Sequence, residues 1–275
     1  MAELSSRKEI AAWIAQRLAG ALDALRAEFA LPRTVKSFVL DDLLPSELAA
    51  AVAQAFPPVE QMELKQHLGE RKFIGVQMNE FAPLVEECLY AFQDPVVVEL
   101  VAAATGIPGL IPDEKLYAGG ISAMVEGHYL NPHLDNSHDA ARERYRALNL
   151  LYYVSPGWRL DYGGNLELWD DGPKGQPRTI ESRFNRLVVM QTDKTSWHSV
   201  SPVRHAGVRR CVSNYFFTLA PVDGQADYHV TSFRGRPEEK LKDLLMQSDN
   251  LLRQKVKELT GERLFKNPHV YKKDA

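Results

Sequence analysis

Cysteine is almost missing: Cys88 and Cys211 are the two thiols in 275 residues. So few and so scattered, they exclude a disulfide framework and fit a reducing, cytoplasmic setting. Net charge is equally small, −3 at pH 7, which excludes a general attraction to nucleic acid or to an anionic membrane surface. No apolar run approaches the ~18 residues of a spanning helix. The first residues do not read as a signal peptide either. Glu3, Arg7, Lys8 and Glu9 precede a segment interrupted by Gln16, Arg17 and Asp23. Internal repeats and low-complexity tracts are also absent. What remains is an ordinary globular composition, 45% apolar and 25% charged. Its length suits one large domain or a core with helical additions.

The chain changes character near Tyr117. Before it, helical spacing dominates. Ser6 and Glu9 form a capping-box pattern, and Ile10, Ile14, Leu18, Leu22, Leu25 and Phe29 recur on one face, predicting a helix over 6–29. A short strand is expected over 35–40 and a helix over 45–56. Residues 59–79 are ambiguous, with a strand at 73–78, and helices follow over 84–92 and from Asp94 to Gly106. From Tyr117 onward, short apolar runs alternate with Gly, Pro and Asn turns, the pattern of an antiparallel barrel or jelly roll. Strands are expected at 117–126, 147–155, 164–169, 178–181, 186–191, 197–202 and 209–219. A last helix runs from Pro237 to about Leu259, with Leu241, Leu244, Leu245, Leu252, Val256 and Leu259 as its apolar face. Its basic surroundings read as a solvated face. The expected division is an N-terminal helical support region over 1–110, a core over 111–222, and a C-terminal helical extension over 223–275.

The chemistry concentrates in the core. In a strand, residues i and i+2 point the same way, so His133 and Asp135 can aim at one point. With His198 they would place two imidazoles and one carboxylate on one face of a metal, the ligand set of non-haem Fe(II) oxygenases. Zinc accepts the same ligands in isolation.

From about Tyr117 to Pro221 the chain resembles a 2-oxoglutarate- and Fe(II)-dependent dioxygenase of the prolyl-hydroxylase-like branch. Four features in order carry the resemblance. They are His133-x-Asp135-Asn136, the run Leu148 to Val154, the run Gly163 to Leu168, and Trp197 to Val203 followed by Arg209. The resemblance implies a mainly β fold with flanking helices around a double-stranded β-helix (jelly roll) core. It also implies Fe(II) as cofactor, 2-oxoglutarate and dioxygen as co-substrates, and ascorbate as a possible reductant. The reaction would hydroxylate an unactivated C–H bond and release succinate and carbon dioxide.

The same resemblance implies an anchor for the far carboxylate of 2-oxoglutarate. A basic residue belongs on the strand after the His198 strand, with a hydroxyl residue four positions on. Arg209 and Ser213 fit, and Tyr153 matches a family tyrosine that reaches the same carboxylate. A register slip of one residue would put Arg210 in place of Arg209. The acceptor stays open among prolyl residues, amino acids, sugars and other small molecules. Specificity is expected in the loops 136–146 and 156–163, with Arg142, Arg144, Arg146 and Arg159 suited to a polar or anionic acceptor. Two other classes fit parts of the pattern: a non-catalytic jelly-roll binding module, and a cupin-type metal-dependent isomerase or hydrolase.

Overall fold

In the computed structural model, residues 5–224, 226, 228–248, 250 and 271 are described. Helix α1 (Arg7–Phe29) opens with the expected capping box: the Glu9 N–H donates to Ser6 Oγ, and the Ser6 N–H donates to Glu9 Oε2 at 2.7 Å. Its stripe of Ile10, Ile14, Leu18, Leu25 and Phe29 is buried. Next come β1 (Ser37–Leu40), α2 (Ser46–Ala55), β2 (Glu63–His67) and β3 (Glu70–Gly75). Helices α3 (Pro83–Ala91) and α4 (Pro95–Thr105) follow. Asp94 caps α4 through the Val96 N–H, and Gly106 ends it at φ 71°, a left-handed turn that suits glycine.

The remaining strands are β4 (Ile111–Pro112), β5 (Gly120–Met124), β6 (Tyr129–Leu134), β7 (Tyr145–Tyr153) and β8 (Leu166–Leu168). Then come β9 (Arg178–Ile180), β10 (Arg186–Gln191), β11 (His198–Val200), β12 (Arg209–Thr218) and β13 (Ser232–Phe233). All pairings are antiparallel. One leaf runs β1-β10-β7-β12-β5 and the other β6-β11-β8-β9, and β3 joins them by pairing with both β5 and β6. The result is a curled sheet of double-stranded β-helix type, with helices packed on its outside, as expected.

Strand alternation divides the two surfaces. Leu148, Leu150 and Tyr152 of β7, with Val212 and Phe216 of β12, join the helix residues in the large outer core. Leu151, Tyr153 and Cys211 face into the curl, packed with Leu166, Leu168, Val188 and Met190. Both faces of these strands are covered, which is why 150–154 reads as an unbroken apolar run.

Two expectations need correction. The region before 111 carries more of the sheet than its description as helical support suggests, because besides the expected strand β1 it supplies the β2–β3 hairpin, and β3 closes the junction between the leaves. The C-terminal helix is seen over 240–248, but Leu241, Leu244 and Leu245 are exposed while Met246 is buried. The face that packs is therefore rotated from the one the leucine spacing suggested. Leu252, Val256 and Leu259 lie outside the described residues.

Candidate metal centre

His133 is the second-last residue of β6 and His198 begins β11, and the two are direct cross-strand partners. Antiparallel pairing thus brings their rings to 4.1 Å between centroids. Each ring is held by the backbone two residues upstream. Nδ1 of His133 lies 3.0 Å from the Asn131 carbonyl oxygen, and Nδ1 of His198 lies 2.9 Å from that of Ser196. A carbonyl only accepts, so both Nδ1 atoms carry the proton and both Nε2 lone pairs are left for a metal. Those Nε2 atoms stand 3.6 Å from Oδ1 and 3.6 Å from Oδ2 of Asp135, respectively. The ligating atoms of His133, Asp135 and His198 all lie within 4.8 Å of one another. Ligands at ~2.1 Å on one face of an ion sit about 3 Å apart, so little movement is needed.

Asp135 is fixed from behind. Its Oδ2 accepts from Asn149 Nδ2 at 2.7 Å and pairs with Arg146 Nη1 at 3.2 Å. Burial works against its ionisation, but Arg146, His198 and His133 outweigh that and hold the carboxyl well below the usual range. Burial, reinforced by His133, lowers His198 to about 4. With Nδ1 of each ring turned to a backbone carbonyl, the centre presents two imidazole Nε2 atoms and one ionised carboxylate, the donor set of an Fe(II) site.

Arg146 and Asn149 were missed as supports of the site. Arg146 was grouped with the exposed loop arginines, yet its side chain is 4% exposed and it also donates to Asn136 Oδ1 at 2.7 Å. Strand β7 begins at Tyr145, so alternation from Tyr153 puts Asn149 on the inner face, a signal the sequence did contain. Arg159 is exposed and pairs with its neighbour Asp161. Asn136 donates to the His138 carbonyl within its own loop, as expected.

The C-terminal segment completes the wall. Phe233 stacks on His133 at 5.2 Å with rings 19° apart, and the edge of His67 meets it at 5.0 Å. A cavity of about 440 Å³ opens beside His133 and Asp135. Strand β3, strand β5, the inner residues Ser213 and Tyr215, and Phe233 line it.

The three co-substrate candidates share the inner face but not one position. Ser213 lines this cavity. Arg209, 3% exposed, lies elsewhere along β12, with its guanidinium 4.7 Å from the centre of the Tyr153 ring. Its Nε donates to the Gly164 carbonyl at 3.1 Å. Gly164 sits at φ 67° and Gly163 at φ 73°, where an added Cβ would come within 2.0 Å of the Pro202 carbonyl oxygen, so this turn needs glycine. The Tyr153 hydroxyl is buried with Arg209 and Ser182 as polar neighbours, and burial raises its pKa to about 12. A buried cation beside a hydroxyl donor suits a ligand carboxylate. Arg210 occupies the opposite face, with its N–H on Ser155 Oγ.

Comparison with known proteins agrees with this geometry. Residues 119–218 match the model of the 2OG-Fe(II) oxygenase superfamily. Prolyl 3-hydroxylase OGFOD1 of Mus musculus is 31% identical over 112 residues, covering 34% of this chain and 20% of that protein. Its Xenopus laevis counterpart is 36% identical over 84 residues, covering 29% and 16%. The matches thus span a fifth or less of these relatives. Among solved structures, a Pseudomonas putida prolyl-4-hydroxylase superposes with TM-score 0.51 at 17% identity, over 72% of this chain and 99% of that one. A prolyl 4-hydroxylase from Phytophthora capsici gives 0.53 at 17% identity, over 96% and 82%. The curled sheet and the converging His133, Asp135 and His198 agree with the match of residues 119–218 to the 2OG-Fe(II) oxygenase superfamily.

Proposed function

We propose that the chain is a 2-oxoglutarate-dependent hydroxylase that inserts oxygen into an unactivated C–H bond and releases succinate and carbon dioxide. The observation that carries this reading is the convergence of His133, Asp135 and His198, with both Nδ1 atoms turned to backbone carbonyls. When bound, Fe(II) and 2-oxoglutarate supply the oxidising chemistry. The protein's work is positioning. Asn131 and Ser196 carbonyls set the imidazole tautomers, Asn149 and Arg146 orient the carboxylate, and the apolar inner face excludes water. Arg209, Tyr153 and Ser213 are assigned to the co-substrate. Among acceptors, a prolyl group is favoured by the names of the relatives and structural neighbours.

The test is whether the purified protein with Fe(II) and ascorbate converts 2-oxoglutarate to succinate, and whether Asp135→Ala abolishes it. Conversion that is independent of Fe(II), or undiminished in the variant, rejects the proposal. A mass increase of one oxygen in a proline-containing peptide would identify the acceptor class.

A further inference from the structure

The cavity beside the metal ligands has a charged wall that the metal chemistry does not use. Lys65 on β2 and Lys72 on β3 are direct cross-strand partners, and so are His67 and Glu70. Like charges placed opposite each other destabilise a hairpin, so this arrangement calls for a compensating group. Glu70 provides it. Its side chain is 2% exposed, with Oε1 at 2.9 Å from Lys65 Nζ and 2.8 Å from His67 Nε2, and Oε2 at 3.0 Å from Lys72 Nζ. Burial opposes ionisation of Glu70, but Lys72, His67 and Lys65 together hold its carboxyl far below the usual range.

The compensation is incomplete. Lys65, Glu70 and Lys72 all line the cavity, and two ammonium groups face one carboxylate. The cavity's other cation, Arg146, is matched by Asp135. One positive charge is therefore in excess. An ammonium has three N–H donors, and each lysine directs one to Glu70. Their side chains are 43% and 23% exposed, so the remaining donors reach the cavity and its mouth.

We propose that Lys65 and Lys72 bind an anionic group of the acceptor, so that this site takes substrates carrying a carboxylate or similar anion near the carbon to be oxidised. This deepens the hydroxylase reading and rests on it. The far carboxylate of 2-oxoglutarate is assigned to Arg209 and Tyr153, which do not line this cavity, while Ser213, the third co-substrate candidate, does line it and stands where the two sites adjoin.

The full chain, loaded with Fe(II) and 2-oxoglutarate under nitrogen, is titrated calorimetrically with three blocked tetrapeptides. Each contains one proline, with aspartate, asparagine or lysine beside it. The aspartate peptide is expected to bind roughly tenfold more tightly than the asparagine one, and the lysine peptide most weakly. Lys65→Gln leaves Glu70 paired with Lys72 and should erase the preference. Glu70→Gln adds to the excess positive charge and should enlarge it, an effect that damage to the fold would not produce. Equal affinities, a preference for the lysine peptide, or no saturable binding of the aspartate peptide overturns the proposal. So does a Lys65→Gln variant whose affinity for 2-oxoglutarate falls while the peptide preference persists. Absence of Fe(II)-dependent succinate formation by the wild-type protein in air would instead defeat the hydroxylase reading, and the anaerobic titration remains informative in that case.

Discussion

Arg146 and Asp135 form an ion pair at 3.2 Å inside a metal site, and Arg146 also packs its guanidinium 4.4 Å from the centre of the Tyr215 ring. One cation thus balances the carboxylate that a metal would otherwise have to balance alone. With Arg146→Met, the metal-free protein should lose about 3 kcal/mol of stability, the range for breaking a buried pair. Bound metal should recover part of that loss. Chemical denaturation with and without Mn(II) measures both. Equal losses in the two states would show that Arg146 acts through packing rather than charge.

Arg209 and Arg210 provide a test of strand register. Arg209→Ala should raise the concentration of 2-oxoglutarate needed for half-maximal succinate release by about ten- to a hundredfold, the loss of a charge-assisted contact. Metal affinity should stay close to wild type. Arg210 faces away, so its alanine variant should leave the 2-oxoglutarate requirement near wild type. A crippled Arg210 variant beside an intact Arg209 variant would reverse the assignment.

Phe233 is expected to steady His133 through ring stacking. Phe233→Leu should weaken metal binding several-fold. Phe92→Leu, which removes a ring packed on Tyr152 in the outer core, should lower stability without changing metal affinity. Calorimetric metal titration of both variants separates local positioning from global loosening.

The pH dependence follows from His198. Its pKa falls from 6.5 to about 4 on folding, chiefly through burial. Between these values the unfolded chain binds more protons than the folded one, so stability rises with pH across that window. The contribution is complete above pH 6.5 and lost as pH falls toward 4. Denaturation of metal-free protein from pH 4 to 7 should show this slope, and His198→Gln should flatten it. An unchanged slope would mean that other groups set the acid limit.

Much of the architecture was legible because it depends on local signals. The capping box of Ser6 and Glu9, the left-handed turn at Gly106, and β10 over 186–191 all lie where spacing and turn residues put them. His133 and Asp135 were legible because strand alternation aims them at one point, and His198 stood out from the other later histidines by its segment Trp197 to Val203, which carries the family resemblance. The β2–β3 hairpin was not. Lys65, Gln66, His67, Glu70, Arg71 and Lys72 leave apolar side chains only at its Leu64 and Phe73–Ile74 end, and its place depends on distant pairing with β5 and β6. Arg146 was misread for a related reason. Its neighbours Arg142 and Arg144 suggest a solvated loop, and nothing nearby in sequence shows that Asp135 is its partner.

The double pairing of β3 sets a lower limit on how far this chain can be trimmed. A fragment holding 119–218 alone keeps all three metal-ligand residues but loses β1 from the flank of β10 and β3 from between β5 and β6. That leaves raw edges on β10, β5 and β6, and on the end of β12 that β4 covers, each a template for joining another copy. The stretch that carries the three candidate metal ligands and the stretches that cover these edges are therefore different parts of the sequence, and an excised core is expected to aggregate before it could bind a metal.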